Sequence, residues 1–403
     1  MSLSWSGGSS ALNLVGAAAL FAAACESRGP LEIGEPAPPS SQRASGVHES
    51  VDGLSSRAVL SQLTDFEHGL STEETLPSSS GLMTSDRGRN AVRYLVRCAL
   101  AAGDVLRKQD QNGVAWSFAG QLGLAPQFKD GACDHACREL LTACILAHVN
   151  VASTAEIPLW LTAAAPAVGW DLDPAYPMEE ASYFGNLWAG DSAGGGDACA
   201  GPDLSANVVP GRFGIGPADD PSYAAGTLAK EVRSANEIAA GACGACTRSG
   251  ASGLASCSLS GTTYAYPITV WRSRAYFGRE ATLAGGAVLL TCTGCVPPRI
   301  GYLTSGASAT FDRIASPRAG AASLLVYYTN GDSSGAVRTL EISVHGGAPI
   351  SAAFRGNNDW SRSARLAVPT TGLVAGDANT ITFTAPAGGS APDIVWIEVV
   401  PST

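Results

Sequence analysis

Charge is scarce in this chain. Only 15% of its 403 residues are Asp, Glu, Lys or Arg, and the formal net charge is −10. From Tyr276 onward lysine is absent, and the arginines and acidic residues balance there, so the excess acid lies upstream. Nothing resembles the basic stripe that nucleic-acid binding needs, and a nucleic-acid partner is excluded on that ground. Histidine is also rare, with five in all (His48, His68, His135, His148 and His345). There is no Gly-x-Ser-x-Gly elbow, His-Glu-x-x-His helix, P-loop or dinucleotide fingerprint. Asp171, Asp173, Glu179 and Glu180 are the only carboxylates that suggest a glycosidase-type pair. Glu179-Glu180 reads equally as a solvated surface pair, so no residue carries a catalytic assignment.

Long apolar runs are missing as well. The longest, Ala11 to Ala24, is too short to span a membrane and has the length of a signal-peptide core. It ends at Phe21-Ala22-Ala23-Ala24-Cys25, which resembles a bacterial lipobox with Cys25 as the lipidated residue. Cleavage of an ordinary secretory signal near Ala24 is the other reading. Both send the chain out of the cytoplasm, to the cell envelope or beyond; on the lipobox reading the lipid anchor is its only tie to a membrane.

Glycine (47), proline (23) and cysteine (11) are plentiful, which suits a loop-rich, β-rich extracellular protein. Without Cys25 ten cysteines remain, an even number that implies disulfides in an exported chain. Cys243-Gly244-Ala245-Cys246 and Cys292-Thr293-Gly294-Cys295 also suggest a four-thiolate zinc site, but the pairs lie farther apart than in zinc ribbons.

The composition divides the chain into four: a signal peptide (1–24), a Ser/Pro-rich flexible tether (25–89), a Cys-rich α+β domain (90–275) and an all-β sandwich (276–403). In the third, apolar residues recur at helical spacing over Ala91–Leu100 and again from the cap Asp134 to Val149. Cys137 and Cys144 share one side of that second helix, each placed to bridge to a neighbouring segment. His148 at its end is placed to satisfy the terminal carbonyls. Ala181–Trp188 and Thr263–Trp271 read as strands.

In the last segment apolar runs of five to eight residues alternate with Gly, Asn, Asp and Pro, the pattern of a β-sandwich. The phrases Ala281-Thr282-Leu283-Ala284-Gly285-Gly286-Ala287, Tyr327-Tyr328-Thr329-Asn330-Gly331-Asp332, Asp359-Trp360-Ser361 and Ala391-Pro392-Asp393-Ile394 resemble carbohydrate-binding module family 35. That resemblance implies a galactose-binding-like jelly roll, a disulfide between Cys292 and Cys295, and sugar contact through Tyr302 and Asp393. Trp360, in a turn-rich stretch, is the aromatic expected to stack on a pyranose. Asn330 and Asp332 are candidates for hydroxyl contacts, with simple turn formation as the alternative. Relatives bind a structural calcium through two Glu and an Asp. Those positions fall here on Phe277, Arg279 and Val395, with Glu280 the only nearby carboxylate, so that site is expected to be lost and no cofactor is expected.

The function expected is non-catalytic binding of a neutral polysaccharide by an exported, lipid-anchored protein. A polysaccharide hydrolase with its catalytic domain at 90–275, or a structural surface lipoprotein that contacts other proteins, are the alternatives.

Overall fold

The structure, a computed structural model, describes residues 47–51, 58–149, 157–188, 195–205, 245–259, 261–291, 298–333, 335–356 and 358–401. Cys25, Cys243, Cys292 and Cys295 lie outside them, and with them the lipidation site and the expected Cys292–Cys295 bridge.

The upstream region is built on two helices. A single turn, α1 (Gly81–Thr84), leads into α2 (Asp86–Ala99). Ser85 caps α2 by accepting from the Gly88 N–H, and Asp86 and Arg97 sit at the ends where the helix dipole favours their charges. The third helix, α3 (His135–Ala147), starts at Asp134, whose carboxylate accepts from the Cys137 N–H. Both helices fall where the apolar spacing predicts. Cys98–Cys144 joins α2 to α3 with Cα atoms 6.0 Å apart, and Cys133–Cys137 closes the entry to α3. A turn of helix, α4 (Pro202–Ser205), follows later in the chain.

The strands of this region are β1 (Val47–Val51), β2 (Val105–Gln109), β3 (Ala115–Ala119), β4 (Ile157–Ala163), β5 (Met178–Asn186), β6 (Gly195–Ala200), β7 (Ala245–Arg248), β8 (Leu254–Leu259), β9 (Thr262–Tyr264) and β10 (Ile268–Arg272). Five form an antiparallel sheet in the order β1-β4-β10-β5-β6, against which α3 packs; the Leu187 N–H donates to Thr142 Oγ1 on that helix. β2 and β3 make a hairpin, and β7-β8-β9 a small sheet stapled by Cys246–Cys257.

Residues 58–89, expected as the distal part of a flexible tether, are folded into this region instead. Leu60, Leu63, Phe66, Leu70, Leu76, Leu82 and Met83 are all buried, and the Phe66 ring lies 5.9 Å from Phe128 and 5.2 Å from Trp188. These apolar residues are spread in ones and twos among Ser, Thr and Glu, so a compositional average hides them. Each nevertheless removes a full side chain from water, which offsets the ordering entropy of the segment.

A last set of strands forms a β-sandwich. After β11 (Ala275–Phe277) come β12 (Ala281–Ala284), β13 (Val288–Leu290), β14 (Arg299–Gly301), β15 (Ser308–Ser316), β16 (Gly320–Asn330), β17 (Val337–Val344), β18 (Ile350–Arg355), β19 (Asp359–Leu373), β20 (Gly376–Thr384) and β21 (Asp393–Pro401). One antiparallel sheet runs β13-β14-β21-β16-β19, with β11 also on β21, and the other β12-β15-β20-β17-β18. Alternate residues such as Leu340 and Ile342, or Ile381 and Phe383, point into the shared core. The structure as a whole is mostly β-sheet.

β16 and β21 depart from simple alternation because both their faces are covered. Leu324, Val326 and Tyr328 enter the sandwich core, whereas Leu325 and Tyr327 join the core of the upstream region together with Val395 and Trp396. The Tyr327 and Trp396 rings stack at 4.1 Å. Beside them, fully buried Arg272 of β10 donates to Glu180 of β5 at 3.1 Å and to Glu398 of β21 at 2.8 Å. Ser273 Oγ and Trp396 Nε1 also donate to Glu398. Arg43–Thr403 accordingly forms one compact unit.

Candidate functional site

One end of the sandwich gathers the ends of five strands. Tyr302 follows β14, Asp332 lies just beyond β16, Arg338 and Trp360 are the second residues of β17 and β19, and Asp393 opens β21. Between them lies a cavity of about 280 Å³ whose wall includes Leu290, Arg299, Tyr302, Arg338, Trp360, Ser390 and Asp393. The cavity thus contains two aromatic rings and several hydrogen-bonding groups, held by a rigid scaffold.

Trp360 is 38% exposed and Tyr302 66%, the largest exposure among the aromatic rings of the described residues. Tyr302 has φ +55°, a left-handed conformation that turns its ring away from the core as β14 ends. Trp360 lies against Gly331: a Cβ at that position would overlap the indole Cδ1 and Nε1, so the Asn-Gly-Asp turn needs glycine to admit the ring.

Arg299 and Arg338 supply the polar framework. Arg338 grips both oxygens of Asp332, with Nε 2.6 Å from Oδ2 and Nη2 2.9 Å from Oδ1. Its Nη1 donates to the Ala391 carbonyl at 3.1 Å, and its guanidinium lies 5.1 Å from the Trp360 ring centroid. Arg299 donates to the Trp360 carbonyl and places Nε 3.0 Å from Asp393 Oδ2, an ionic contact whose N–H is not well aimed at the oxygen. Burial pushes the Asp393 carboxyl up from its ordinary value, against the pull of Arg299 and Arg338. The Arg338 hydrogen bonds hold Asp332 below its ordinary value. Two cations and two carboxylates leave the site without net charge.

Of the five residues expected to touch sugar, Tyr302, Trp360 and Asp393 line the cavity. Asp332 stands behind it as the counterion of Arg338. Asn330 does not reach it: its side chain is fully buried, donates to the Phe354 carbonyl at 3.0 Å and accepts from the Asp332 N–H. An amide so enclosed organises the turn and is not available to a ligand. Arg299 and Arg338 were not foreseen from the sequence, since an isolated Arg on a strand reads as a solvated side chain.

At the expected calcium positions, Phe277 and Val395 are buried and the Arg279 guanidinium lies 4.6 Å from the Phe277 ring centroid. Glu280 accepts from the Phe277 N–H and pairs with Arg274. Its carboxylate is committed to those partners.

Two of the four carboxylates considered for catalysis are committed to ion pairs. Glu179 and Glu180, read as a solvated pair, are both buried. Glu179 is forked by Arg248 at 2.6 and 3.1 Å, and Glu180 pairs with Arg272. Strand β5 is covered on both sides, so neighbouring residues are both enclosed. His148 Nδ1 lies 2.7 Å from the Cys144 carbonyl at the end of α3, as its position in the sequence predicts. The cysteines near it, Cys98 and Cys144, are joined to each other, and the cluster of Cys199, Cys246 and Cys257 is likewise in disulfide form, so neither group offers thiolates to a metal.

No protein-family model matches the chain, and neither does any curated protein. Among solved structures it is similar to family 35 carbohydrate-binding modules. One from Clostridium thermocellum is 26% identical, with 31% of this chain and 97% of that module covered at a TM-score of 0.29. Another, from Paenibacillus barcinonensis, is 19% identical, with 32% and 98% covered and a TM-score of 0.28. An exo-β-1,3-galactanase from Phanerochaete chrysosporium is 24% identical, with 34% of this chain and 30% of that enzyme covered and a TM-score of 0.29.

Proposed function

We propose that the chain is an exported carbohydrate-binding protein that seats a sugar unit of a neutral polysaccharide in the cavity at the end of its sandwich. The observation that carries this reading is the meeting of Trp360, Tyr302 and Asp393, drawn from three separate stretches of sequence, around one cavity. Pyranose C–H faces bury apolar area against an exposed indole or phenol, while carboxylate and guanidinium groups orient hydroxyls. The charge balance Arg299–Asp393 and Arg338–Asp332 favours an uncharged ligand, because a uronic acid would find each cation already neutralised. Four cysteines in two intact bridges around α3, and the Cys246–Cys257 bridge, support an oxidising compartment. The run to Cys25 supports attachment to the cell envelope by lipid.

The test is a glycan array followed by calorimetry on the exported chain, with Trp360→Ala as the control. Loss of the indole is expected to weaken binding at least about 30-fold, the scale of a hot-spot aromatic worth 2 kcal/mol or more. Equal affinity in the variant, with its melting temperature preserved, rules this cavity out as the sugar site.

A further inference from the structure

We infer that Arg338 is the positioning residue of the cavity, fixing the indole of Trp360 without itself being the principal sugar contact; this rests on the glycan reading of the same site. The observation is convergence. Arg338 reaches three separate segments at once: the turn after β16 through Asp332, the approach to β21 through the Ala391 carbonyl, and the start of β19 through the Trp360 ring. These segments are separated in sequence, and this one guanidinium touches all three.

The chemistry explains why arginine is used. Guanidinium is planar and forked, so gripping Asp332 with two donors fixes the plane in which it lies. A fixed plane set 5.1 Å from the ring centroid gives the indole a cation–π neighbour of defined direction. Gly331 leaves room for the ring on the adjoining side, and Arg299 holds its backbone carbonyl. The indole is therefore limited on several sides before any ligand arrives. Such preorganisation lowers the ordering cost of binding and raises affinity without a new contact. Lysine keeps the charge but lacks the fork, so it does not replace arginine here.

The experiment uses the full exported chain labelled with 5-fluorotryptophan, the Trp360 resonance being assigned by its loss in Trp360→Phe. Arg338→Lys, Arg338→Met and Asp332→Asn are compared by fluorine NMR without ligand, by melting temperature, and by titration with neutral tri- and tetrasaccharides of galactose, xylose, mannose and glucose. The expected result is a shifted or broadened Trp360 resonance in all three. The two Arg338 variants should bind the best oligosaccharide about tenfold more weakly, equivalent to 1.4 kcal/mol. A Trp360 resonance unchanged in Arg338→Lys and Asp332→Asn overturns the inference, as does binding within twofold of the parent protein. If Arg338→Met does not fold, the Lys and Asn variants decide. If the parent protein binds none of the sugars, the glycan reading fails, and the fluorine spectra still report whether Arg338 fixes the ring.

Discussion

Asn330 and Asp393 show how two polar residues close to one cavity take different parts. Asn330 is fully buried and its amide satisfies the Phe354 carbonyl and the Asp332 N–H. Asn330→Ala should therefore cost about 1–3 kcal/mol of stability, the penalty for leaving buried backbone groups without partners. Glycan affinity per folded molecule should be nearly unchanged; denaturant melts and calorimetry on one sample separate the two. Asp393 is the reverse case. Burial raises its carboxyl above the ordinary 3.8. A raised folded value adds stability at pH below the unfolded value, and that contribution is withdrawn as pH rises through the folded value. For sugar binding the sign is opposite, because protonation removes the charged acceptor and its attraction for Arg299. Affinity should fall between about pH 7 and pH 4, with a midpoint above that of an ordinary Asp. Asp393→Asn should bind more weakly at neutral pH and lose this dependence; a titration with the same profile as the parent would assign it to another group.

At the scale of elements, α2 and α3 were legible in the sequence because their apolar residues repeat at helical spacing and Asp134 caps α3. The disulfide partners were not, since pairing depends on which helices lie side by side. Cys98 and Cys144 are 46 residues apart in sequence, and their bridge is expected to contribute about 4 kcal/mol by the loop-closure estimate. Replacing both by Ala should lower the denaturation midpoint accordingly while leaving sugar affinity intact, since neither helix reaches the cavity. The sandwich was legible from its short strands and turns. The burial of β16 on two faces carries a sequence signal too: Leu324 to Tyr328 is an unbroken apolar run where a one-sided strand alternates. The same signal recurs at Ile394–Ile397. Of the five residues proposed for sugar contact, Tyr302, Trp360 and Asp393 line one cavity; Trp360 stands out in the sequence as an aromatic in a turn-rich stretch, whereas Tyr302 and Asp393 are reached through the family resemblance. Arg299 and Arg338 did not stand out, because their value lies in partners that only the fold brings near.

At the scale of the molecule, the sandwich and the upstream region share a core and a buried ionic network, and the network sets the strongest expectation. Glu180, Arg272 and Glu398 are each fully buried, with Arg272 between the two carboxylates. The neighbouring negative charges hold Arg272 firmly protonated against the cost of its burial. Taking out the cation leaves two carboxylates without their counterion in a water-poor interior, which typically costs about 3–5 kcal/mol. Arg272→Met is therefore expected to lower stability by that amount, read by guanidinium denaturation. A triple variant with Glu180→Gln and Glu398→Gln added should recover much of the loss, because no uncompensated charge remains. The same Arg272 variant should bind a hydrophobic dye, as loosening of the contact uncovers Leu325, Tyr327 and Trp396 on the outer face of the sandwich. A single variant as stable as the parent protein, with no dye binding, would show that apolar packing alone joins the two regions. A triple variant no better than the single one would instead place the cost in lost packing of the long arginine side chain.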